Sequence, residues 1–557
     1  MTREAPIWRV AFWILLALEC APFWMFRYLP SQDGPSHIHN AEVLANYGTE
    51  PIYQQYYVLT PITPAGNVLT QYILAALLKI VGPSIAEKLL LSGYAVLLFF
   101  GFRYFLRAFS PHADYFALFA GVLAPNWFLY MGFWNFCFSI VVLLFVLGYY
   151  ARRERTGDWS ARTLLVLGIG SLTVYMSHAV SWLLGAIAIA VIGAPRLIAR
   201  RAKTERRQSA DAACRSACAT SGMTEALRRY TLPLASFLPP AALLLIEFGR
   251  PHEVSTCPTA STLRERLWPL YSFSFLYTLG DRDALIAKVL AGILLATFLG
   301  VVAMVALRRS YSWHGTSLLA ISAIFGAICV AGPACVGSGS YIDTRVACYA
   351  WIFLVAWLAS ALEAWPRPVL SAIAAAFCGI AIWTFAARMP ELSRWNQELT
   401  EVAAMGQSIR PESTVLAMRL ERAQGIVDPL GHPVGLLNAG PIVDLGNYEA
   451  DTDYFTSRFR ANRSPFTALA SLRELYSVPP IFDVERYEAQ TRGRVDYLLF
   501  IGGRNGADEQ ELFRRQLRAF KLALSTESGE FRLYERDGSK AVAAGIGDSH
   551  LRSAPAP

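Results

Sequence analysis

The chain has 557 residues, of which 54% are hydrophobic and only 17% charged, with a formal net charge of +8. Soluble globular chains carry roughly a quarter charged residues, so this composition excludes an ordinary soluble protein and points to several membrane spans. The positive charge does not indicate nucleic acid as a partner, because the basic residues cluster between apolar runs. Arg196–Arg229 alone carries nine Lys or Arg against three acids, the bias of cytoplasmic loops.

In chain order, the first apolar run, Trp8–Phe26, is followed by Arg27-Tyr28-Leu29-Pro30 and not by a small-residue cleavage site. It therefore reads as a retained first span. With Arg3 and Arg9 cytoplasmic, this span delivers residues 28–66, which contain no Lys or Arg, to the opposite side. Asn67–Val81 is apolar but short and holds Lys79, so it reads as an interfacial helix. The second span is Ile85–Leu106. Tyr115–Ala151 and Thr163–Pro195 are two uncharged hairpins, turning at "APNWFLYMGFWNF" and "YMSHAVSW". Thr231–Ile246, kinked by its prolines, is followed by a loop of mixed charge, Phe248–Asp283. The remaining spans are Ala284–Leu307, Ser317–Ala331, Val346–Leu362 and Val369–Ala387. That makes eleven, and every dense basic cluster falls on the cytoplasmic side. Counting Asn67–Val81 as a span would put Arg152–Arg155 outside.

The expected fold class is thus a polytopic α-helical membrane protein of about eleven spans, residues 1–388, with an external first loop 28–84. From Arg388 the composition becomes that of a soluble domain, expected over 389–545, with a disordered tail 546–557. Within it "STVLAMRL" and "RVDYLLFIGG" read as buried strands, "GADEQELFRRQLRAF" as a helix, and "FKLALSTESGEFRLYER" as a hairpin turning near Ser528–Gly529. A small extracytoplasmic α/β domain follows, with no phosphate loop, GxGxxG or nucleophile elbow. The nine cysteines show no metal spacing. Most read as small packing residues, and a Cys257–Cys335 disulfide needs both residues in an oxidising compartment.

On the external side, "QDGPSHIHNAEVLANY" should begin a helix, with Pro35 in its first turn. Helical offsets of four and three place Asp33, His37 and Asn40 on one side, and His39 faces elsewhere. Asp33 could simply cap that helix. Other polar residues fall at the same level, however: Asn126 and Asn135 at one hairpin, His178 at the other, and Asp343 with Arg345 before span ten. Together they can line one polar cleft, and such groups beside a bilayer mark a functional site. Singly, Asn135 and His178 could satisfy neighbouring backbone, Asp343 could cap its helix and Arg345 could snorkel.

The layout of a cytoplasmic N-terminus, one span and an external loop with an acid and an interfacial helix resembles the GT-C membrane glycosyltransferases, whose relatives include protein O-mannosyltransferases and aminoarabinose transferases. "DGPSHIHNAEVL", "AEKLLLSGY", "GFWNF" and "YIDTR" look like an uncharacterised bacterial branch. The resemblance implies transfer of a sugar from a polyprenyl-phosphate carrier to an extracytoplasmic lipid, glycan or protein, in the bacterial inner membrane. Asp33 stands where the family has its general base, with His37 beside it. Asn40, Asn135, His178, Asp343 and Arg345 are then substrate-binding candidates, and Arg345 would offset the charge of the leaving lipid phosphate. Many members have paired acids where this chain has Asp33-Gly34. That leaves the base and a divalent metal open, and no other cofactor is implied.

Rival readings are an envelope polysaccharide transporter or flippase, a non-catalytic scaffold, and a lipid-linked glycan polymerase or ligase. A transporter expects charges within the spans and inverted repeats, whereas these spans are nearly charge-free. The missing second acid favours a scaffold. A polymerase or ligase would favour a large basic external loop, which Phe248–Asp283 is not.

Overall fold

The computed structural model describes residues 6–60, 66–210, 231–249, 262–280, 282–308, 315–336, 339–362, 365–421, 425–452, 455–468, 482–503 and 516–537. Six helices are long and apolar enough to cross a membrane: Pro6–Met25, Pro83–Leu106, Trp134–Thr156, Arg282–Leu307, Ile342–Ser360 and Arg367–Ser408. Shorter apolar helices occupy Ala161–Ser177, Ala179–Ala194, Thr231–Glu247 and Thr316–Ala331, where four further spans were expected. The chain is a multi-pass membrane protein.

Chain order begins with α1 (Pro6–Met25), α2 (Gly34–Asn46), α3 (Pro51–Tyr56), α4 (Leu69–Leu78) and α5 (Pro83–Leu106). The expected interfacial helix is α4. Its ten residues reach about 15 Å, half of a hydrocarbon core of ~30 Å. The first half of the Tyr115–Ala151 hairpin is broken into α6 (Ala113–Phe116), a 3-10 turn at Ala117–Phe119, α7 (Ala120–Leu123) and α8 (Trp127–Met131). Pro125 disfavours helix before it, and the Asn126 side chain restarts the helix by accepting from Leu129 N at 3.0 Å. Then come α9 (Trp134–Thr156), α10 (Ala161–Ser177) and α11 (Ala179–Ala210). The helix Leu238–Phe248 is α12 and Leu263–Ser272, within the expected loop, is α13; α14 is Arg282–Arg308, α15 Thr316–Ala331, α16 Ile342–Ser360 and α17 Arg367–Met405.

α17 is a single helix of 39 residues, ~58 Å long. It carries the bundle into the C-terminal region with no break at Arg388. That arginine is buried. It donates to Asp283 Oδ1 at 3.1 Å, to the Leu276 carbonyl at 2.8 Å and to the Pro125 carbonyl, tying α17 to α14 and to the break before α8. Farther along α5 and α9, Asp114 pairs with Arg107 at 2.7 Å, and Arg152 donates to the Tyr104 carbonyl at 2.8 Å. Seventeen residues of helix, about 26 Å, separate Arg152 from Asn135. The basic cluster therefore lies at the opposite end of α9 from the polar level around α2.

The C-terminal sheet has strand order β3-β2-β5-β7-β6. β2 (Ser413–Arg419) runs parallel to β3 (Ile442–Asp444) and β5 (Tyr497–Ile501), while β7 (Phe531–Arg536) is antiparallel to β5 and to β6 (Phe520–Ser525). The two strands and the hairpin expected there form, and Gly529 turns the hairpin at φ 69°. Most of "GADEQELFRRQLRAF" lies outside the described residues. Two features join the halves of the chain. β1 (Tyr57–Leu59) of the first loop pairs antiparallel with β4 (Ser457–Phe459), and Val43, Ile52, Tyr53 and Tyr57 share a core with Leu416, Val443, Leu498 and Phe500. The first loop thus shares a core with the C-terminal sheet. Cys335 is disulfide-bonded. Cys257 lies outside the described residues.

Candidate active site at the junction of bundle and C-terminal domain

Asp33 enters a helix whose first turn it does not cap. Its side chain makes no capping hydrogen bond; Ser31 Oγ instead accepts from Gly34 N at 3.2 Å. The backbone of this turn docks on α8, with Gln32 N donating to the Tyr130 carbonyl at 2.9 Å and Asp33 N to the Met131 carbonyl at 3.1 Å. Gly132 has φ 87°, and a Cβ there would lie 2.7 Å from Gly34 N and 2.9 Å from Asp33 Cβ. A Cβ on Gly34 would meet Ser31 Oγ and Trp134 Cζ2, each at 2.7 Å. Two glycines in contact thus let the chain pass close to α8 and aim the Asp33 carboxyl away. A side chain at position 34 would require Ser31 or Trp134 to shift.

The carboxyl faces a cavity of about 450 Å³ whose lining includes Asp33, His37, Asn135, His178, Arg345, Tyr341, Glu247, Tyr448 and Glu449. Five of the seven candidate residues therefore meet in one space. Asn135 reaches it while fixing the start of α4, accepting from Thr70 N at 2.8 Å and donating to the Asn67 carbonyl at 2.7 Å. His178 sits at the α10–α11 junction, edge-on to Phe136 with ring centroids 5.2 Å apart, and its buried Nδ1 has no hydrogen-bond partner among the described residues. Arg345, in the first turn of α16, donates to the Ser340 carbonyl at 2.6 Å and lies 4.8 Å from the Phe133 ring centroid. A guanidinium that already rests on aromatic rings remains a cation for an anionic ligand.

The other two candidates stand outside the lining. Asp343 accepts from Thr344 N at 2.8 Å in the first turn of its helix, where an acid suits the helix dipole. Asn40 lies one turn beyond His37 and is fully buried in a polar network. It donates to Glu449 Oε2 at 3.0 Å and accepts from Asn447 Nδ2 at 2.8 Å and Ser457 Oγ at 3.2 Å. His39 faces away, 3.3 Å from the Tyr57 hydroxyl, as its 200° offset requires.

The C-terminal domain contributes groups that the local pattern did not reveal. Glu449 is 3% exposed; its Oε2 accepts from Ser36 Oγ and Asn40 and lies 3.7 Å from His37 Nδ1. His432 Nε2 lies 3.7 Å from Asp33 Oδ1. Phe455 stacks on His37 at 5.7 Å between centroids. Burial pushes Asp33 up to about 7, opposed by the Gln32 amide and assisted by the charge of Asp428. Burial, then the charge of Asp33, drives Glu449 well above the carboxylate range, against the hydrogen bonds from Ser36 and Asn40. Burial lowers His37 to about 4 and, with His37's charge, His432 to about 3. Both imidazoles are therefore neutral at pH 7, and their carboxyl contacts are not ion pairs. Only Glu247 had a visible sequence signal, an acid ending an apolar run. Among the described residues no group of three His, Cys, Asp or Glu is placed to hold a metal ion.

No family model matches the chain, and no curated protein does. Solved structures resemble it in overall layout. ArnT from Cupriavidus metallidurans in the apo state is 11% identical at TM-score 0.41, with 96% of this chain and 98% of that one covered. Arabinofuranosyltransferase AftD from Mycobacteria is 11% identical at TM-score 0.48, covering 96% and 40%. The oligosaccharyltransferase AglB from Archaeoglobus fulgidus, with an inhibitory peptide and a dolichol-phosphate, is 13% identical at TM-score 0.45, covering 96% and 74%. All fall below a TM-score of 0.5, so the functional reading rests on the site.

Proposed function

We propose that this chain is an integral membrane glycosyltransferase that moves a sugar from a polyprenyl-phosphate carrier to an acceptor on the extracytoplasmic side of a bacterial inner membrane, with Asp33 as general base. The observation that carries the reading is Asp33 itself. It is a buried carboxyl left free by its own helix, facing a cavity between the bundle and the soluble domain, with a proton affinity near neutrality, where a general base works best.

The step balances without a redox partner. The acceptor oxygen bonds to the anomeric carbon, the bond from that carbon to the phosphate oxygen breaks, and the acceptor proton passes to Asp33. The leaving lipid phosphate gathers negative charge as its bond breaks. Arg345 supplies the cation that offsets it, in a cavity where low dielectric strengthens the attraction. His37 and His178, whose Nδ1 atoms have no hydrogen-bond partner among the described residues, supply hydrogen bonds to sugar hydroxyls, and the aromatic faces of Tyr341, Tyr448 and Phe455 suit the apolar faces of a sugar ring. The carrier's tail belongs in the apolar grooves between the spans.

The test replaces Asp33 with Asn in the native host at matched protein level and compares envelope glycans by mass spectrometry with wild type and a deletion strain. Loss of the same sugar unit in both mutants supports the transferase, and the mass difference gives the sugar. A unit lost on deletion but kept by Asp33→Asn removes Asp33 as base and moves the transporter and scaffold readings ahead.

A further inference from the structure

We propose that Glu449 is the second carboxyl group of the reaction site, a substrate-contacting group delivered by the C-terminal domain, so that the site is complete only when that domain is seated on α2. This rests on the transferase reading and extends it to a residue outside the membrane bundle.

Three observations meet at this side chain. Glu449 lines the same cavity as Asp33 and His37, and it belongs to the short turn Tyr448–Asp451 between β3 and β4, beside the strand that pairs with the first loop. Its two oxygens are used differently. Oε2 takes the hydrogen bonds from Ser36 Oγ and Asn40 Nδ2, while Oε1 has no hydrogen bond among the described residues. Beside it, His37 Nδ1 is buried, lies 3.7 Å from Glu449 Oε2, and has no hydrogen-bond partner among the described residues. A buried polar atom without a partner costs free energy, and a ligand hydroxyl placed between His37 and the Glu449 carboxyl would relieve it.

The placement also answers the crowding at position 34. A side chain following Asp33 there would force Ser31 or Trp134 to shift, because a Cβ on Gly34 would already lie 2.7 Å from Ser31 Oγ and Trp134 Cζ2. Two other elements bring carboxyls to the same cavity, Glu247 from α12 and Glu449 from the turn after β3, and Glu449 is hydrogen-bonded to α2 through Ser36 and Asn40. The titratable groups facing it are Asp33 and His37 from the α2 segment and Asp444 from β3, with His432 beyond Asp33, and the same cavity is lined by Glu247 of α12, Arg345 of α16, Tyr341 and Tyr448. Burial, then the charge of Asp33, holds Glu449 well above the carboxylate range. At neutral pH Asp33 is then free to accept a proton while Glu449 holds one and donates a hydrogen bond.

The purely structural alternative makes Glu449 a strut of the Ser36–Asn40–Asn447 network. Glu449→Gln separates the two, since an amide keeps the acceptor that Ser36 and Asn40 use and also keeps a donor, but cannot ionise. Membranes from the native host carrying wild type, Glu449→Gln, Glu449→Ala or Asp33→Asn would be assayed between pH 6 and pH 10 for the sugar unit absent from the deletion strain. Limited proteolysis of each purified protein reports whether the C-terminal domain stays seated.

The expected result is a wild-type rate that falls at alkaline pH and a seated Glu449→Gln that transfers at pH 7 within about threefold of wild type without that fall; a wild type with no alkaline fall overturns the proposal. Glu449→Ala should lose at least tenfold. A seated Glu449→Ala with wild-type rate and pH profile overturns the proposal, and so does a Gln variant that keeps the alkaline fall. Should Ala unseat the domain, the Gln profile decides alone. Loss of transfer in a seated Glu449→Ala, with Glu449→Gln active and Asp33→Asn fully active, would instead overturn Asp33 as the base and leave Glu449 standing.

Discussion

Residue by residue, burial decides the chemistry. Asp33 and Asp444 are both pushed from 3.8 to about 7 by burial, so folding holds protons that the unfolded chain has already released. The unfolded state binds fewer protons between about pH 4 and pH 7, and each group therefore lowers stability as pH rises through that window. His37 and His432, held neutral, act in the opposite direction as pH falls below 6.5, so the wild-type profile alone is a sum of opposing slopes. A comparison isolates one group. Asp33→Asn should gain stability over wild type progressively from pH 4 to pH 7, by an amount on the order of a few kcal/mol, read as the difference in thermal midpoint of the detergent-purified proteins. A difference constant across that range would mean that Asp33 does not titrate abnormally. Asp33 and His37 were legible in the sequence because four residues of one helix fix their common face. Glu449 and His432 were not, since Ser36 and Glu449 are 413 residues apart along the chain and no local pattern links them.

Elements are joined at two points where substitution should be costly. Gly132 combines a left-handed backbone with contact against Gly34 and Asp33. Gly132→Ala should destabilise by roughly 1–2 kcal/mol from the backbone alone, and displacement of the Asp33 turn should reduce transfer beyond what the lost stability explains. Unchanged activity and midpoint in that variant would show that the turn can relax. The second point is Arg388, whose ion pair with Asp283 at 3.1 Å has both side chains at most 5% exposed. Arg388→Met leaves a buried carboxylate without its cation and should cost roughly 3–5 kcal/mol. The double change Arg388→Met with Asp283→Leu should recover part of it, as measured by yield and thermal midpoint. The apolar periodicity announced the long helices, and Pro125-Asn126 carried the signal for the break before α8. The continuity of α17 through Arg388 was not legible there, because composition changes at the membrane surface whereas a helix's hydrogen bonds do not.

Across the whole molecule, the polar level and the basic clusters lie at opposite ends of the bundle, which fits an extracytoplasmic site and cytoplasmic arginines. Single cysteines introduced in a background without reactive native thiols test this. Ser528→Cys in the hairpin turn should react with an impermeant maleimide added outside intact spheroplasts, and Thr156→Cys at the end of α9 should react only after permeabilisation. The reverse pattern would invert the topology and place the cavity on the cytoplasmic face. The C-terminal sheet region is bound to the first loop by the β1–β4 pairing and by a shared core. Its seating and the shape of the cavity are therefore one property of the protein.

The sequence by itself determined the membrane class, the run of apolar helices, the strands and hairpin of the C-terminal domain, and the grouping of Asp33 with His37. All of these follow from composition or from the 3.6- and 2-residue periods of local structure. Tertiary structure alone decided which polar residues share the cavity. It brought His178 and Arg345 to the cavity that Asp33 lines, left Asn40 and Asp343 outside that lining, and placed Glu449 of the C-terminal region on its wall. The physical reason is that a site between two bodies depends on how they dock. Docking here is set by close glycine contacts and a satisfied buried polar network, which arise only when distant segments meet.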